Sequence, residues 1–332
     1  LGFDNGFRAL PDGFPTKSVF ESLSAGEKAA WGQKFKNIWT ADEDISGASL
    51  LSQTIQLSGG FSRNMGQNSK MGAILSAYYN RSPRRIEFHN RILRFQNNVP
   101  DLYFDYNNIK YNTEILTGAL ANLTFQIRNY SKISWKTILN VNTSDYSTLR
   151  NGLDYEGRIA GVTDEIHATE LAFKENTFFN TQLTGEHQLK KYGLKANWYG
   201  SFNILDQYIP DQRRVQYVKE DPTVQNSPFV IFIPVSNASQ KNGSRYYGFL
   251  NDYNYTAGGD LSKTFIHKDL SHTIKAGYFF QVKDRLFDSR PFTIYLPSGN
   301  PAFMHLAQDQ VFAPENFGNG TDDKLYFNEI SG

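Results

Sequence analysis

Leu194-Lys195-Ala196-Asn197-Trp198-Tyr199-Gly200-Ser201-Phe202-Asn203-Ile204 decides how the rest of the chain is read. Leu194, Ala196, Trp198, Gly200, Phe202 and Ile204 form one row, and Lys195, Asn197, Tyr199, Ser201 and Asn203 form the other. In a β-strand, residues two apart share a face, so this is a strand with one greasy side and one wet side. Soluble strands usually run to about 5–6 residues. A run of this length matches the roughly 9–11 residues that a tilted strand needs to cross a bilayer.

The same period recurs along the chain. Ile274, Ala276, Tyr278, Phe280 and Val282 alternate with Thr273, Lys275, Gln281 and Lys283, with Phe279 as the exception. Ile133, Trp135, Leu139 and Val141 alternate with Ser134, Lys136, Asn140 and Asn142. Leu123, Phe125 and Ile127 do so too, as do Tyr253, Tyr255, Ala257 and Leu261, Met71 to Tyr79, and Ile55, Leu57 and Phe61. Eight such strands can be placed. Short links rich in turn-forming residues join them in pairs at Asn64–Ser69, Asn129–Lys132, Lys190–Gly193 and Ile266–Ser271. Between the pairs the links are long: Arg81 to Glu114, Tyr146 to Glu175 and Asp206 to Asn251. Short turns at one end and long connections at the other are the asymmetry of outer-membrane barrels. The expectation is an all-β chain, an antiparallel transmembrane β-barrel with short periplasmic turns and long extracellular loops. Residues 51–332 supply the barrel strands and loops, and residues 1–50 a long loop with a short helix. Both ends read as cut, Lys324 to Ile330 resembling a strand cut short, so the chain is expected to be part of a larger wall.

Composition narrows the alternatives. Apolar residues make up 39% of the chain, below the roughly 45–50% usual in soluble domains, so a large greasy core is not the expectation. Aromatics make up 15%, which argues against disorder. The net charge of +1 gives no pull toward nucleic acid. Cysteine is absent, which excludes disulfides, thiolate metal sites and Cys nucleophiles. The greasiest run, Phe229 to Ile233, is stopped by Pro234 and is far too short for a membrane helix.

In the first fifty residues, Ser24-Ala25-Gly26-Glu27 has the pattern of a capping box. It predicts a helix from about Ala25 to Lys36, with Trp31 and Phe35 one turn apart.

Leu1-Gly2-Phe3-Asp4-Asn5-Gly6-Phe7-Arg8-Ala9-Leu10-Pro11-Asp12-Gly13-Phe14-Pro15 resembles a segment of the TonB-dependent outer-membrane receptors of the Bacteroidetes type. The hairpins Phe178 to Phe202 and Tyr253 to Tyr278, and Pro210-Asp211-Gln212-Arg213, resemble the same family. The resemblance implies a 22-stranded barrel around a plug, in the outer membrane of a Gram-negative bacterium. It implies uptake of a scarce nutrient (siderophore, cobalamin, glycan or peptide) driven by a TonB complex. Outer-membrane lipid, lipopolysaccharide and a surface lipoprotein would be its other partners. No TonB box or plug is recognisable in these residues. A passive porin or substrate-specific channel uses the same strands, and a soluble β-rich binding module would need a closed apolar core.

No catalytic motif stands out, no cofactor is implied, and no enzyme activity is expected. The six His residues are scattered; His267 and His272 flank a short turn and read as solvated. Ligand contacts are expected from the long loops. Tyr103, Phe104 and Tyr106, and Arg245, Tyr246 and Tyr247, combine flat aromatic faces with charge, which suits sugars, flat chelates or peptides. Arg213, next to Arg214, suits an anionic ligand, as does the pair Arg84-Arg85. Trp135, Trp198 and Tyr79 are candidate residues of an interfacial aromatic girdle.

Overall fold

A computed structural model describes residues 2–37, 51–96, 99–155, 161–236, 239–268 and 270–330. Within them lies one antiparallel sheet of long strands. Its members are β1 (Gln53–Asn64), β2 (Ser69–Gln96), β3 (Val99–Ile127), β4 (Ser131–Asp154), β5 (Asp164–Leu189), β6 (Leu194–Lys219), β7 (Phe229–Ile231), β8 (Ser244–His267), β9 (Leu270–Tyr295) and β10 (Tyr326–Glu329). Neighbours in sequence are neighbours in the sheet, in the order β1-β2-β3-β4-β5-β6-β8-β9-β10, with β7 beside β6. The sheet does not close on itself: β1 and β10 stand at opposite ends of that order.

The short links at Asn64–Ser69, Asn129–Lys132 and Lys190–Gly193 are tight turns, while the link Ile266–Ser271 includes residue 269, which lies outside the described residues. Met65 N–H donates to the Ser69 carbonyl at 2.7 Å, and Gly66 has φ +74°. A 3-10 turn at Lys190–Tyr192 ends on Gly193 in the left-handed region, where the lack of a Cβ removes the steric cost. The three long links, by contrast, are largely not loops. Strand pairing runs on through them, with Arg85 opposite Tyr111, Leu149 opposite Thr169 and Gln207 opposite Leu250. Beyond the greasy rows both faces carry polar and aromatic side chains, so the period-two hydropathy signal ends. The backbone ladder does not depend on that signal.

Register aligns the apolar rows of all eight long strands. One cross-strand row reads Gly59–Leu75–Ala121–Thr137–Thr181–Phe202–Tyr255–Val282. The row beside it reads Phe61–Ala73–Leu123–Trp135–Leu183–Gly200–Ala257–Phe280. The opposite face includes Ser58–Ser76–Leu120–Ile138–Asn180–Asn203–Asn254–Lys283. On that polar face Ser58 and Ser76 hydroxyls pair at 2.8 Å, Thr124 and Ser134 at 3.0 Å, and Asn180 bonds Asn203. Apolar groups are rarer there and include Ile74, Leu205 and Phe279. On the apolar face, Leu57, Leu75, Trp135, Leu183, Tyr255 and Tyr278 are exposed. The indole N–H groups of Trp135 and Trp198 nevertheless have partners, Thr181 Oγ1 at 2.8 Å and His187 Nε2 at 3.0 Å.

Farther along the strands this same face is covered by the chain itself. Phe173 of β5, Tyr247 of β8 and Phe292 of β9 share faces with Phe179, Tyr253 and Val282, at even spacing along each strand. All three are buried. Over Tyr247 and Phe292 lie α1 (Lys17–Ser22), α2 (Ala25–Gly32) and the segment 296–325, and over the Phe173 ring lies Arg8, 4.7 Å from its centroid. The capping box forms: Glu27 N–H donates to Ser24 Oγ, and Ser24 N–H donates back to the Glu27 carboxylate at 2.8 Å. The helix ends at Gly32 rather than Lys36, and Phe35 packs beyond it, 5.7 Å from Phe292 between ring centroids. Phe14, Phe20, Phe292, Phe317 and Phe327 complete an aromatic core.

A buried fork closes this core. Arg290 donates to both Glu329 oxygens at 2.7 and 2.6 Å, and its Nη1 donates to the Pro15 carbonyl at 2.8 Å. One guanidinium therefore ties β9, β10 and the N-terminal segment. Removing one partner of a buried pair leaves the other charge unpaired, at a cost of roughly 3–5 kcal/mol. Glu329→Ala should therefore release β10 and the N-terminal segment together. Limited proteolysis would show new cleavage within residues 2–37; unchanged resistance would rule out the shared anchor.

Candidate functional site

The polar face of the extended strand halves carries a group of charged and aromatic side chains that are partly exposed. Glu170 of β5 lies opposite Arg214 of β6. Its carboxylate accepts from Arg214 Nη2 at 3.3 Å, from the Tyr146 hydroxyl at 3.3 Å and from Gln212 Nε2. Lys110 Nζ sits 3.5 Å from the centroid of the Tyr146 ring, a cation on an aromatic face. Arg150 donates to Asn108 Oδ1 at 2.8 Å and lies over the Tyr106 ring at 4.9 Å. Asn108 in turn donates to Asn90 at 2.8 Å. These residues come from β2 to β6, and the sheet register alone brings them together.

Two hollows flank Arg214. One of about 280 Å³ is lined by Thr148, Arg150, Glu170, Arg214, Gln216 and Lys241, among others. Another of about 320 Å³ is lined by Gln212, Arg214, Gln240, Tyr246 and Pro291, among others.

The residues singled out from sequence separate onto two faces. Arg213 and Arg245 point to the covered side, where both donate to the Lys36 carbonyl, at 2.8 and 3.1 Å. Asp211 pairs with Arg213 at 2.6 Å, and its other oxygen lies 3.6 Å from Arg245. The Arg245 guanidinium is flanked by Phe35 and Phe312, each 5.0 Å away. Tyr247 is buried beside Phe35. These three side chains anchor the N-terminal segment.

Tyr106 is buried with Ile166, Val218 and Val230; its ring stacks on Phe104 at 4.4 Å, and its hydroxyl donates to Asp154 at 3.2 Å. Tyr103, Phe104 and Tyr246 are half-buried, and Tyr246 borders the second hollow on the polar face. All seven lie on strands rather than in loops. Arg84 and Arg85 pair with Glu114 and Glu87.

Neighbours on a strand always face opposite ways, and a β-bulge decides which of Arg213 and Arg214 reaches which face. The β6–β8 register shifts between Ile209 and Gln212, and Asp211 has φ +49°. A plain count by twos from Asn203 puts Arg213 on the polar face. The extra residue reverses this and puts Arg214 there. Sequence reasoning missed Lys110, Tyr146, Arg150 and Glu170 because each is an ordinary strand residue until register is known.

Among the described residues no group of three or more His, Asp or Glu side chains could hold a metal ion. The side chain of His267 lies outside the described residues. No helix among them is long and apolar enough to cross a membrane. No family model matches the chain, and comparison with curated proteins and with solved structures found no match.

Burial pushes the Tyr146 hydroxyl up to about 12, helped by the charge of Glu170 and by the hydrogen bond to it. The Lys110 ammonium is pulled below its ordinary range by burial, against the opposing charges of Glu170 and Glu114. Glu170→Gln removes the charge that helps raise Tyr146, while the amide oxygen can still accept from its hydroxyl. In an ultraviolet difference titration against Tyr146→Phe, the Tyr146 band should move down in the Glu170→Gln variant, yet stay above the ordinary tyrosine value of about 10 because burial remains. A wild-type Tyr146 that ionises at the ordinary value would show that the Glu170 arrangement does not form.

Proposed function

We propose that this chain forms part of the wall of an outer-membrane β-barrel and serves a TonB-dependent uptake receptor. The observation that carries the membrane reading is the contrast between the two halves of one sheet face. In the distal half, apolar side chains are buried under the chain's own N-terminal and 296–325 segments. In the half nearer the tight turns, the apolar rows across eight strands have no such cover. A soluble monomer rarely exposes a contiguous apolar patch of more than a few hundred Å². Acyl chains would supply the missing cover, and the spans Met71–Tyr79 and Leu194–Ile204 match what a tilted strand needs.

Closure follows from the same reading. In hydrocarbon each unpaired backbone group costs several kcal/mol, so the free edges of β1 and β9 must be paired with further strands. Trp135 and Trp198, close to the tight turns, suit the lower interface, and Tyr79 suits the upper one. The polar face would line the lumen, and the extended halves would stand above the membrane as the ligand-collecting side. The TonB-coupled part of the reading rests on the resemblance of Leu1–Pro15; a passive channel shares the strands but not that segment.

Phe202 sits in the middle apolar row, and Ser201 beside it faces the other way. An Arg facing lipid near mid-membrane costs roughly 2–4 kcal/mol. Phe202→Arg should reduce the heat-modifiable, assembled protein in outer-membrane fractions, while Ser201→Arg should not. Ser201 is a cleaner control than Asn203, which bonds Asn180 and the Asn254 carbonyl. Equal assembly of both variants would end the membrane reading.

A further inference from the structure

We propose that the hollow beside Arg214 binds a small ligand carrying both carboxylate and hydroxyl groups, a hydroxy acid or an acidic sugar unit. The inference deepens the uptake reading and rests on it only in needing the polar face to be open to water.

The charges make the first argument. Arg150, Arg214 and Lys241 line the hollow, and Glu170 is the one carboxylate among the described residues that line it. Three cations against one anion leave a local surplus of positive charge. Glu170 is also already engaged, since Arg214, Tyr146 and Gln212 all donate to it. That network fixes the guanidinium of Arg214 at the edge of the hollow while leaving part of its fork of five N–H donors for a second anion. A guanidinium is the group best shaped for a carboxylate, through two parallel hydrogen bonds.

The neutral groups make the second argument. Thr148 and Gln216 line the same wall and offer both donors and acceptors. Such groups suit hydroxyls, which need a partner of each kind, and a bare inorganic anion would leave their acceptors idle. Across Arg214 the second hollow presents Tyr246 and Pro291, a flat apolar surface fit for a ring or a carbon chain. A volume of about 280 Å³ fits a single small unit rather than a chelate of drug size.

The positions are also held rigidly. Arg150 is pinned by Asn108 and by the Tyr106 ring, and Arg214 by Glu170, all on paired strands. A site built on strands keeps its geometry better than one built on loops.

The test is isothermal titration of the purified native protein in detergent with D-galacturonate, with citrate and with neutral galactose. Either or both acids should bind, and galactose should bind far more weakly. Galacturonate ahead of citrate identifies the acidic sugar as the source, and the reverse order identifies the hydroxy acid. Loss of a charge-assisted hydrogen bond weakens binding by roughly ten- to a hundredfold, so Arg214→Gln should show a drop of that order. Gln216→Glu, which adds a carboxylate to the wall, should weaken binding without touching Arg214. Arg85→Gln, whose partner is Glu87, should change nothing. Binding that is unaffected by both Arg214→Gln and Gln216→Glu, equal binding of galactose, or no binding of either acid overturns the proposal. Membrane assembly is read separately by heat-modifiability, so a missing ligand site and a failed membrane reading give different results.

Discussion

An apolar sheet face has to be covered, because each Å² of apolar surface left in water costs roughly 25 cal/mol. The architecture follows from how the two halves of one face meet that demand. In the distal half the chain covers itself: Phe14, Phe20 and Phe35 pack on Tyr247 and Phe292, and the segment 296–325 adds Phe312 and Phe317. In the half nearer the turns it does not, and Leu57, Leu75, Leu183 and Tyr278 stay bare. On the proposed reading, lipid takes over where the protein stops.

That division organises the polar interactions as well. Charges buried under the cap are paired and anchored to the backbone. Arg290 grips Glu329 and the Pro15 carbonyl, and Arg213 and Arg245 converge on the Lys36 carbonyl. On the polar face the charges are only partly satisfied by each other. Lys110 rests on an aromatic face, while Glu170, Arg214 and Arg150 share donors and an aromatic face but remain beside an open hollow. Groups of the first kind hold the cap in place. Groups of the second kind are available to a ligand.

Much of this was legible in the residues themselves. The alternation from Leu194 to Ile204 marks a two-faced strand without reference to anything else, because a strand's side chains alternate by geometry. The turn at Lys190–Gly193 and the capping box at Ser24–Glu27 are equally local and form where the sequence places them. The long links were misread as loops for a physical reason. Pairing between Arg84 and Asn112, or Thr148 and Glu170, is made by backbone groups common to all residues, and no hydropathy period reports it.

The amino-acid sequence by itself determined the strands, their two faces, the tight turns and the cap of α2, since each depends on residues within a few positions of one another. Only the tertiary structure decided which faces meet. It set the register that aligns eight apolar rows, the bulge at Asp211 that sends Arg213 under the cap and Arg214 to the open side, and the assembly of Tyr146, Glu170 and Arg214 from three strands. Those depend on hydrogen bonds between residues far apart in the chain, and a single inserted residue in one strand reverses every face beyond it.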